Sequence, residues 1–206
     1  MCPDGHGKYH VPDAGHRLTI LNEKHRGTTE VMCQVVSGPE LFEELNHHLN
    51  VNPNDKFKVA LGCGLQPEVR IAQILKKNGI GIYYGSRPPL GMTASPSAFL
   101  KMYEDEEIGA EFPRIVEMLV DVYQREEDGQ IDPACLSADF IRGLTCYLTH
   151  TTYTLEQVWA SLQLSTLSAE GIAAMGRQQA TNGSGRWKAI AEIIGQQVKK
   201  NYRKAA

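Results

Sequence analysis

The sequence predicts an α+β fold, with a small β-containing piece at the N-terminus and a larger helical region after it. Three observations carry that expectation. Glu30-Val31-Met32-Cys33-Gln34-Val35-Val36 is the best strand pattern in the chain, dense in β-branched residues and closed by Ser37-Gly38-Pro39. After Pro39 the apolar residues change period, and Leu41, Phe42, Leu45 and Leu49 recur at the spacings of one helix face. Beyond Ser95 helical patterning dominates to the end of the chain.

The elements follow in order. Lys8-Tyr9-His10-Val11 is a short strand candidate after the turn signal Asp4-Gly5-His6-Gly7. Leu18, Ile20 and Leu21 begin a short helix that Gly27 would cap. Asn50-Val-Asn-Pro-Asn54 is a break, and Asn54 is the expected cap of a helix carrying Phe57, Ala60 and Leu61. Gly62-Cys63-Gly64 interrupts, and Pro67 marks a new helix start. That helix carries Val69, Ile71, Ala72, Ile74 and Leu75 and stops at Asn78-Gly79. Residues 79–95 read as loop or short extended structure around Tyr83-Tyr84-Gly85-Ser86-Arg87-Pro88-Pro89, with the tyrosine pair expected to pack on a neighbouring helix and, as the second reading, to stack on bases beside Arg87. Helices are expected near 96–104, 111–126, 136–149, 154–163, 168–180 and 186–203, the fourth opened by the capping-box residues Thr154 and Gln157. Asn182-Gly-Ser-Gly185 is a turn before the last helix.

Composition narrows the class. The 206 residues are 42% hydrophobic and 22% charged, which is globular rather than disordered composition. No apolar run approaches the ~18 residues of a membrane span, and the first ten residues lack the apolar core of a secretory signal. Five cysteines, at 2, 33, 63, 135 and 146, form no C-x-x-C pair, so reduced thiols in a cytoplasmic protein are expected. A net charge of -3 argues against a protein that coats nucleic acid with its whole surface. It leaves room for a local basic patch. Between Glu104 and Asp132 there are eleven acids against Arg114 and Arg125. From Arg186 onward there are six bases against Glu192 alone. In that last helix Trp187, Ile190, Ile193, Ile194 and Val198 make an apolar stripe, and Lys199, Lys200, Arg203 and Lys204 gather at its end. Cations there offset the helix dipole, and four within six residues exceed that need, so phosphate contact is a second reading.

The candidate for chemistry is a strand, a tight turn at Asp13-Ala14-Gly15 and a helix opening at His16-Arg17. Free N–H groups at a helix start suit an anion, Arg17 would add a bidentate phosphate contact, and Gly15 permits close approach to the backbone. Other chemistry finds less support. His6 and His10 would share one side of a strand, with His16 nearby and His47-His48 adjacent, but no partner stands at recognised zinc spacing, so no metal site is expected. Cys63 between two glycines has nothing near it in sequence to activate a thiolate and is expected as a small buried hydrophobe. Glu106-Glu107 and Glu126-Glu127 sit in the acidic run without the burial that catalytic carboxylates need. There is no G-x-x-x-x-G-K-[ST], G-x-S-x-G or H-E-x-x-H motif.

The stretch Gly7-Lys-Tyr-His-Val-Pro-Asp-Ala-Gly-His-Arg-Leu-Thr-Ile-Leu-Asn22, with the strand ending at Val36, resembles the core motif of the ParB/sulfiredoxin-like superfamily. The turn Asp13-Ala14-Gly15-His16-Arg17 is similar to that family's Gly-Glu-Arg-Arg, Gly-Cys-His-Arg and Asp-Gly-Gln-His-Arg turns. Leu45-Asn46 followed by Asn52-Pro53-Asn54-Asp55-Lys56-Phe57-Lys58 resembles a segment of ParB-like proteins of phage and plasmid type. Asp139-Phe-Ile-Arg-Gly-Leu-Thr-Cys-Tyr-Leu148 resembles their Leu-Leu-Arg-Gly-Leu helix, and Gly185 to Lys204 their last helix. The resemblance implies a shortened ParB/sulfiredoxin-like subdomain over 1–58, lacking the family's upstream strand and helix, and a helical domain over 59–206. Gly15 stands where sulfiredoxin carries its catalytic cysteine, which removes sulfiredoxin chemistry. It also replaces a ParB glutamate, and Glu44-Leu45-Asn46-His47-His48 lacks the arginine of the ParB Glu-Asn-x-x-Arg segment, which argues against ParB-type CTP hydrolysis.

The expectation is an accessory protein that binds nucleotide, with or without Mg, or nucleic acid. It would use Asp13, Gly15, His16, Arg17 and Asn46, with Lys199, Lys200, Arg203 and Lys204 contacting DNA, and would work without robust catalysis. Two alternatives stay open. One is a metal-dependent ParB-like nuclease or nucleotide hydrolase using His16 and Arg17. The other is a protein–protein module of regulatory or inhibitory type, engaging a partner or a second copy through its acidic 104–132 face and an unpaired sheet edge. No membrane partner is expected.

Overall fold

The structure is a computed structural model that describes residues 2–3, 9–10, 52–85, 87–125, 129–180 and 185–205, the first four and last three by backbone alone. The chain divides into two compact units, Met1–Val69 and Arg70–Ala206. In the first, β1 (Cys2–Pro3) pairs antiparallel with β2 (Tyr9–His10), Cys2 opposite His10. The first of the expected strands thus has its centre in β2. The expected strand at 30–36 and the helices at 18–26 and 41–49 lie outside the described residues.

Helix α1 (Pro53–Gly62) corrects one expectation. Its cap is Asn52, whose side-chain oxygen accepts from the Asn54 N–H at 3.0 Å, and not Asn54. Proline at the first helical position explains the shift, because its fixed φ and missing N–H suit that position and put the capping role on the residue before it. Phe57 and Ala60 are buried as their spacing predicts. Cys63 is half-buried at the C-cap rather than in a core. Helix α2 (Gln66–Lys77) contains the boundary between the units and has Pro67 in its first turn.

The second unit is helical, with one small parallel ribbon of β3 (Gly81–Ile82) and β4 (Met92–Thr93), Gly81 opposite Met92. The ribbon is tied down by Thr93, whose buried hydroxyl donates to the Leu136 carbonyl at 2.9 Å. The tyrosines of the connecting loop do not pack away: Tyr83 and Tyr84 are exposed, and so is Leu90. Six helices follow: α3 (Pro96–Tyr103), α4 (Phe112–Tyr123), α5 (Ala138–His150), α6 (Leu155–Gln163), α7 (Ala169–Gln179) and α8 (Arg186–Ala205). Each lies within three residues of its expected bounds. Side-chain caps explain the sharp starts, with the Ser137, Thr154 and Ser168 oxygens each accepting from an N–H three residues on. At Thr154 the Gln157 side chain completes the capping box.

The second unit is organised around α8, which packs against α5, α6 and α7. Ile190, Ile193, Ile194 and Val198 are its buried stripe. They meet a core that includes Phe140, Ile141 and Leu144 of α5, Val158 and Leu162 of α6 and Ile172 of α7. Two glycines permit the closest approaches. A Cβ at Gly143 would stand 2.7 Å from Ile190 Cγ2 and 2.8 Å from the Trp187 carbonyl oxygen, and one at Gly176 would stand 2.6 Å from Ile190 Cγ1. Ile190 therefore sits in a notch formed by α5 and α7.

Two side chains in the second unit make testable statements about stability. The Tyr123 hydroxyl is buried with no hydrogen-bond partner among the described residues. Burial, then the neighbouring Cys135 and Asp132, push its ionisation well above the ordinary 10.0. Leaving a polar group unsatisfied costs about 1–3 kcal/mol, so Tyr123→Phe should stabilise the protein by about 1 kcal/mol in denaturant unfolding. A loss of stability would mean that the hydroxyl is bonded in solution. On the surface, Arg114 of α4 binds Glu156 of α6 at 2.7 Å and Glu111 at 3.2 Å. Glu156 is held below the ordinary 4.5 first by its own backbone N–H and then by Arg114. A depressed carboxyl contributes stability above its ordinary value and loses it as pH falls through the depressed one. The stability gap between wild type and Arg114→Ala should therefore be small, present at about pH 7, and closed in acid below the ordinary 4.5. A gap unchanged in acid would contradict the pairing.

Candidate nucleic-acid interface

Of the residues singled out in the sequence, Asp13, Gly15, His16, Arg17 and Asn46 lie outside the described residues, as do the side chains of His6, His10, His47 and His48. Lys199 and Lys200 are exposed near the end of α8, and the backbone carries Arg203 and Lys204 through its last turn.

Helix geometry places the other cations of α8. Arg186, Lys188, Lys199 and Lys200 are all exposed. Lys188 and Lys199 are eleven residues apart, which returns them to nearly the same side of a helix over a rise of about 17 Å. Glu192 is the one acid exposed between them. Glu192 falls on that same side, while Arg186 and Lys200 project to other sides, so the exposed cations of α8 sit as two groups, one at each end of the helix.

At its N-terminal end α8 meets a cleft of about 480 Å³ built from three helices. Arg142, Thr145, Cys146, Thr149 and His150 come from one face of α5, at spacings of three, four, seven and eight. Ala98 and Lys101 come from α3, with Asp105 just beyond its end. Trp187 comes from the first turn of α8. The contact at Gly143 sets its position, because the Trp187 carbonyl oxygen lies where a Gly143 side chain would be. Lys188 Nζ stands 5.5 Å from the centre of the Trp187 ring, a cation–π contact.

The polar groups of the cleft divide into occupied and available. Asp105 is spent on structure: one carboxylate oxygen accepts from the Glu107 and Ile108 N–H groups, and the other accepts from the Thr149 hydroxyl at 3.3 Å. His150 Nδ1 lies 2.8 Å from the Cys146 carbonyl oxygen. A carbonyl only accepts, so Nδ1 carries a proton, and Nε2 is the second ring nitrogen open to a ligand. Lys101 and Arg142 are exposed. With Asp105 the one acid in the lining, the cleft is net basic. Lys101, His150 and the cleft-facing role of Trp187 had no local sequence signal, since they converge only through packing.

Two other depressions are less suited to an anion. One, of about 700 Å³, sets Arg125 and Arg177 against Asp132 and Glu170. Its Asp132 oxygens already accept from the Ala134 and Glu170 N–H groups. The other, of about 470 Å³, is lined by Asn78, Gln124, glycines and apolar side chains, and has no charged residue. Among the described residues no three His, Cys, Asp or Glu side chains gather in a way that would hold a metal ion. Cys135 is buried, and burial, then Asp132, push its thiol well above the ordinary 9.0, which makes it unsuited to act as a nucleophile. No helix among the described residues is long and apolar enough to cross a membrane.

Compared with protein-family models, curated proteins and solved structures, the chain matches none of them.

Proposed function

We propose that this protein is a ParB-like accessory protein that binds nucleic acid or nucleotide and does not turn it over. The observation that carries the reading is the cluster of cations at the C-terminal end of α8, where Lys199 and Lys200 are exposed and Arg203 and Lys204 follow in the sequence, in a chain whose net charge is -3. Four cations within six residues, in a chain that repels polyanions overall, form a local patch suited to phosphate. The resemblance of Asp13-Ala14-Gly15-His16-Arg17 to the ParB/sulfiredoxin-like turn adds a second phosphate contact through Arg17.

Thermal unfolding against ATP, CTP, GTP and a short DNA duplex, with and without magnesium, tests the role of Arg17. A ligand at one hundred times its Kd stabilises a protein by about 2.7 kcal/mol. Wild type should show that shift in Tm with at least one of these ligands, and Arg17→Ala should lose it. An equal shift in both proteins would remove Arg17 from the site.

A second reading, a protein–protein module, has its own observation. Tyr83, Tyr84 and Leu90 are exposed on one loop that also carries Pro88 and Pro89. Small-zone size-exclusion with light scattering distinguishes a self-associating loop, which gives a mass that rises with concentration and falls in the Tyr83→Ser/Tyr84→Ser variant.

A further inference from the structure

We infer that the cleft between α3, α5 and the first turn of α8 is a site for one unpaired nucleotide, its base on Trp187 and its phosphate held by Arg142 and Lys101. The inference rests on the proposed nucleic-acid reading and sharpens it, because it assigns a single strand over a duplex.

Four features of the cleft point the same way. Its volume of about 480 Å³ lies within the ordinary range for small-ligand sites. It offers a large aromatic ring, and every base has a face that stacks on one. Its two cations, Lys101 and Arg142, outnumber its one carboxylate, Asp105, whose oxygens already accept from the Glu107 and Ile108 N–H groups and the Thr149 hydroxyl. The two threonine hydroxyls donate to helix carbonyls, Thr145 to Ile141 at 2.8 Å and Thr149 to Thr145 at 2.9 Å, so their oxygens are left as acceptors, beside His150 Nε2, for the edge of a base. A base inside a duplex is stacked on both sides and cannot reach such a ring, whereas an unpaired one can. The position matters as well. Trp187 is adjacent to Lys188, whose Nζ stands 5.5 Å from the ring centre, so a strand whose base enters the cleft has a further cation beside it. A free nucleotide presents the same base and phosphate, and the experiment separates the two sources.

Trp159→Phe leaves Trp187 as the one tryptophan of the full chain. That protein is titrated with oligothymidylate, with a duplex of equal length and with thymidine monophosphate, following tryptophan emission and the anisotropy of a labelled strand. The oligothymidylate should quench Trp187 saturably and bind more tightly than the duplex. Arg142→Gln, an exposed change that leaves the packing intact, should weaken that binding. Trp187→Leu in the wild-type background should weaken it by roughly 5- to 150-fold, the range that one stacked base supplies. If thymidine monophosphate quenches Trp187 as fully and displaces the strand, the site takes the free nucleotide, and the assignment of the cleft stands. If the strand binds by anisotropy while Trp187 emission and the Trp187→Leu affinity are unchanged, the cleft assignment is overturned and the α8 reading survives. If the duplex binds as well as the strand, the single-strand assignment is overturned. If none of the three binds, both readings fall.

Discussion

Ile190→Ala should cost the protein about 2–5 kcal/mol, the range for a buried isoleucine cut back to alanine. Gly176→Ala, alone, should cost about 1–3 kcal/mol. The second figure reverses the usual expectation, because glycine to alanine inside a helix normally gains up to about 1 kcal/mol. It reverses because the new methyl would stand 2.6 Å from Ile190 Cγ1. The two substitutions should then fail to add. The next contact of that methyl, the Arg186 carbonyl oxygen at 3.6 Å, is ordinary packing distance. With Ile190 already shortened the clash is gone, and Gly176→Ala should become neutral or stabilising. Denaturant unfolding of the wild type, both single variants and the double variant measures this coupling. Additive losses would mean that Ile190 does not occupy the notch. Gly143 behaves differently. Its methyl would also meet the Trp187 carbonyl oxygen at 2.8 Å, which no change at Ile190 removes. Gly143→Ala should therefore stay destabilising beside Ile190→Ala, and it should disturb the cleft that Trp187 lines.

The second large effect is on binding. Replacing Lys199, Lys200, Arg203 and Lys204 together by glutamine should leave the fold standing, since cations at a helix end contribute about 0.3–1 kcal/mol each at most. Affinity for nucleic acid should fall much further. Each phosphate contact contributes about 0.7 to the salt slope on a single strand and about 0.9 on a duplex. Loss of four contacts should flatten the slope of log K against log salt by about 3. A cluster that only offsets the helix dipole would change Tm slightly and leave that slope unchanged.

The helical part of the fold was legible because its signals are local. Caps at Ser137, Thr154 and Ser168 and apolar residues at helical spacing fix the starts and the buried faces within the sequence itself. Asn52 caps α1 in place of the expected Asn54 because Pro53 takes its usual place inside the first turn, which leaves Asn52 just outside it. The exposed tyrosines had no local signal at all. A tyrosine pair reads alike whether its loop folds inward or outward, and here the loop between β3 and β4 holds them outward. The candidate site was legible only at its ends. The C-terminal cations announce themselves by density. Arg142, Lys101, His150 and Trp187 lie on three helices far apart in sequence, and nothing but packing brings them together. The Asp13–Arg17 turn rests on its resemblance and on the Arg17 experiment.

The proposed function puts phosphate at the basic C-terminal end of α8. The measurement that tests it most directly is the salt dependence of binding to a labelled oligothymidylate, by anisotropy, for wild type and the four-glutamine variant. Wild type should lose affinity steeply as salt rises, and the variant should bind weakly with a slope flatter by about 3. Equal slopes in the two proteins, or a wild-type affinity indifferent to salt, would contradict the claim.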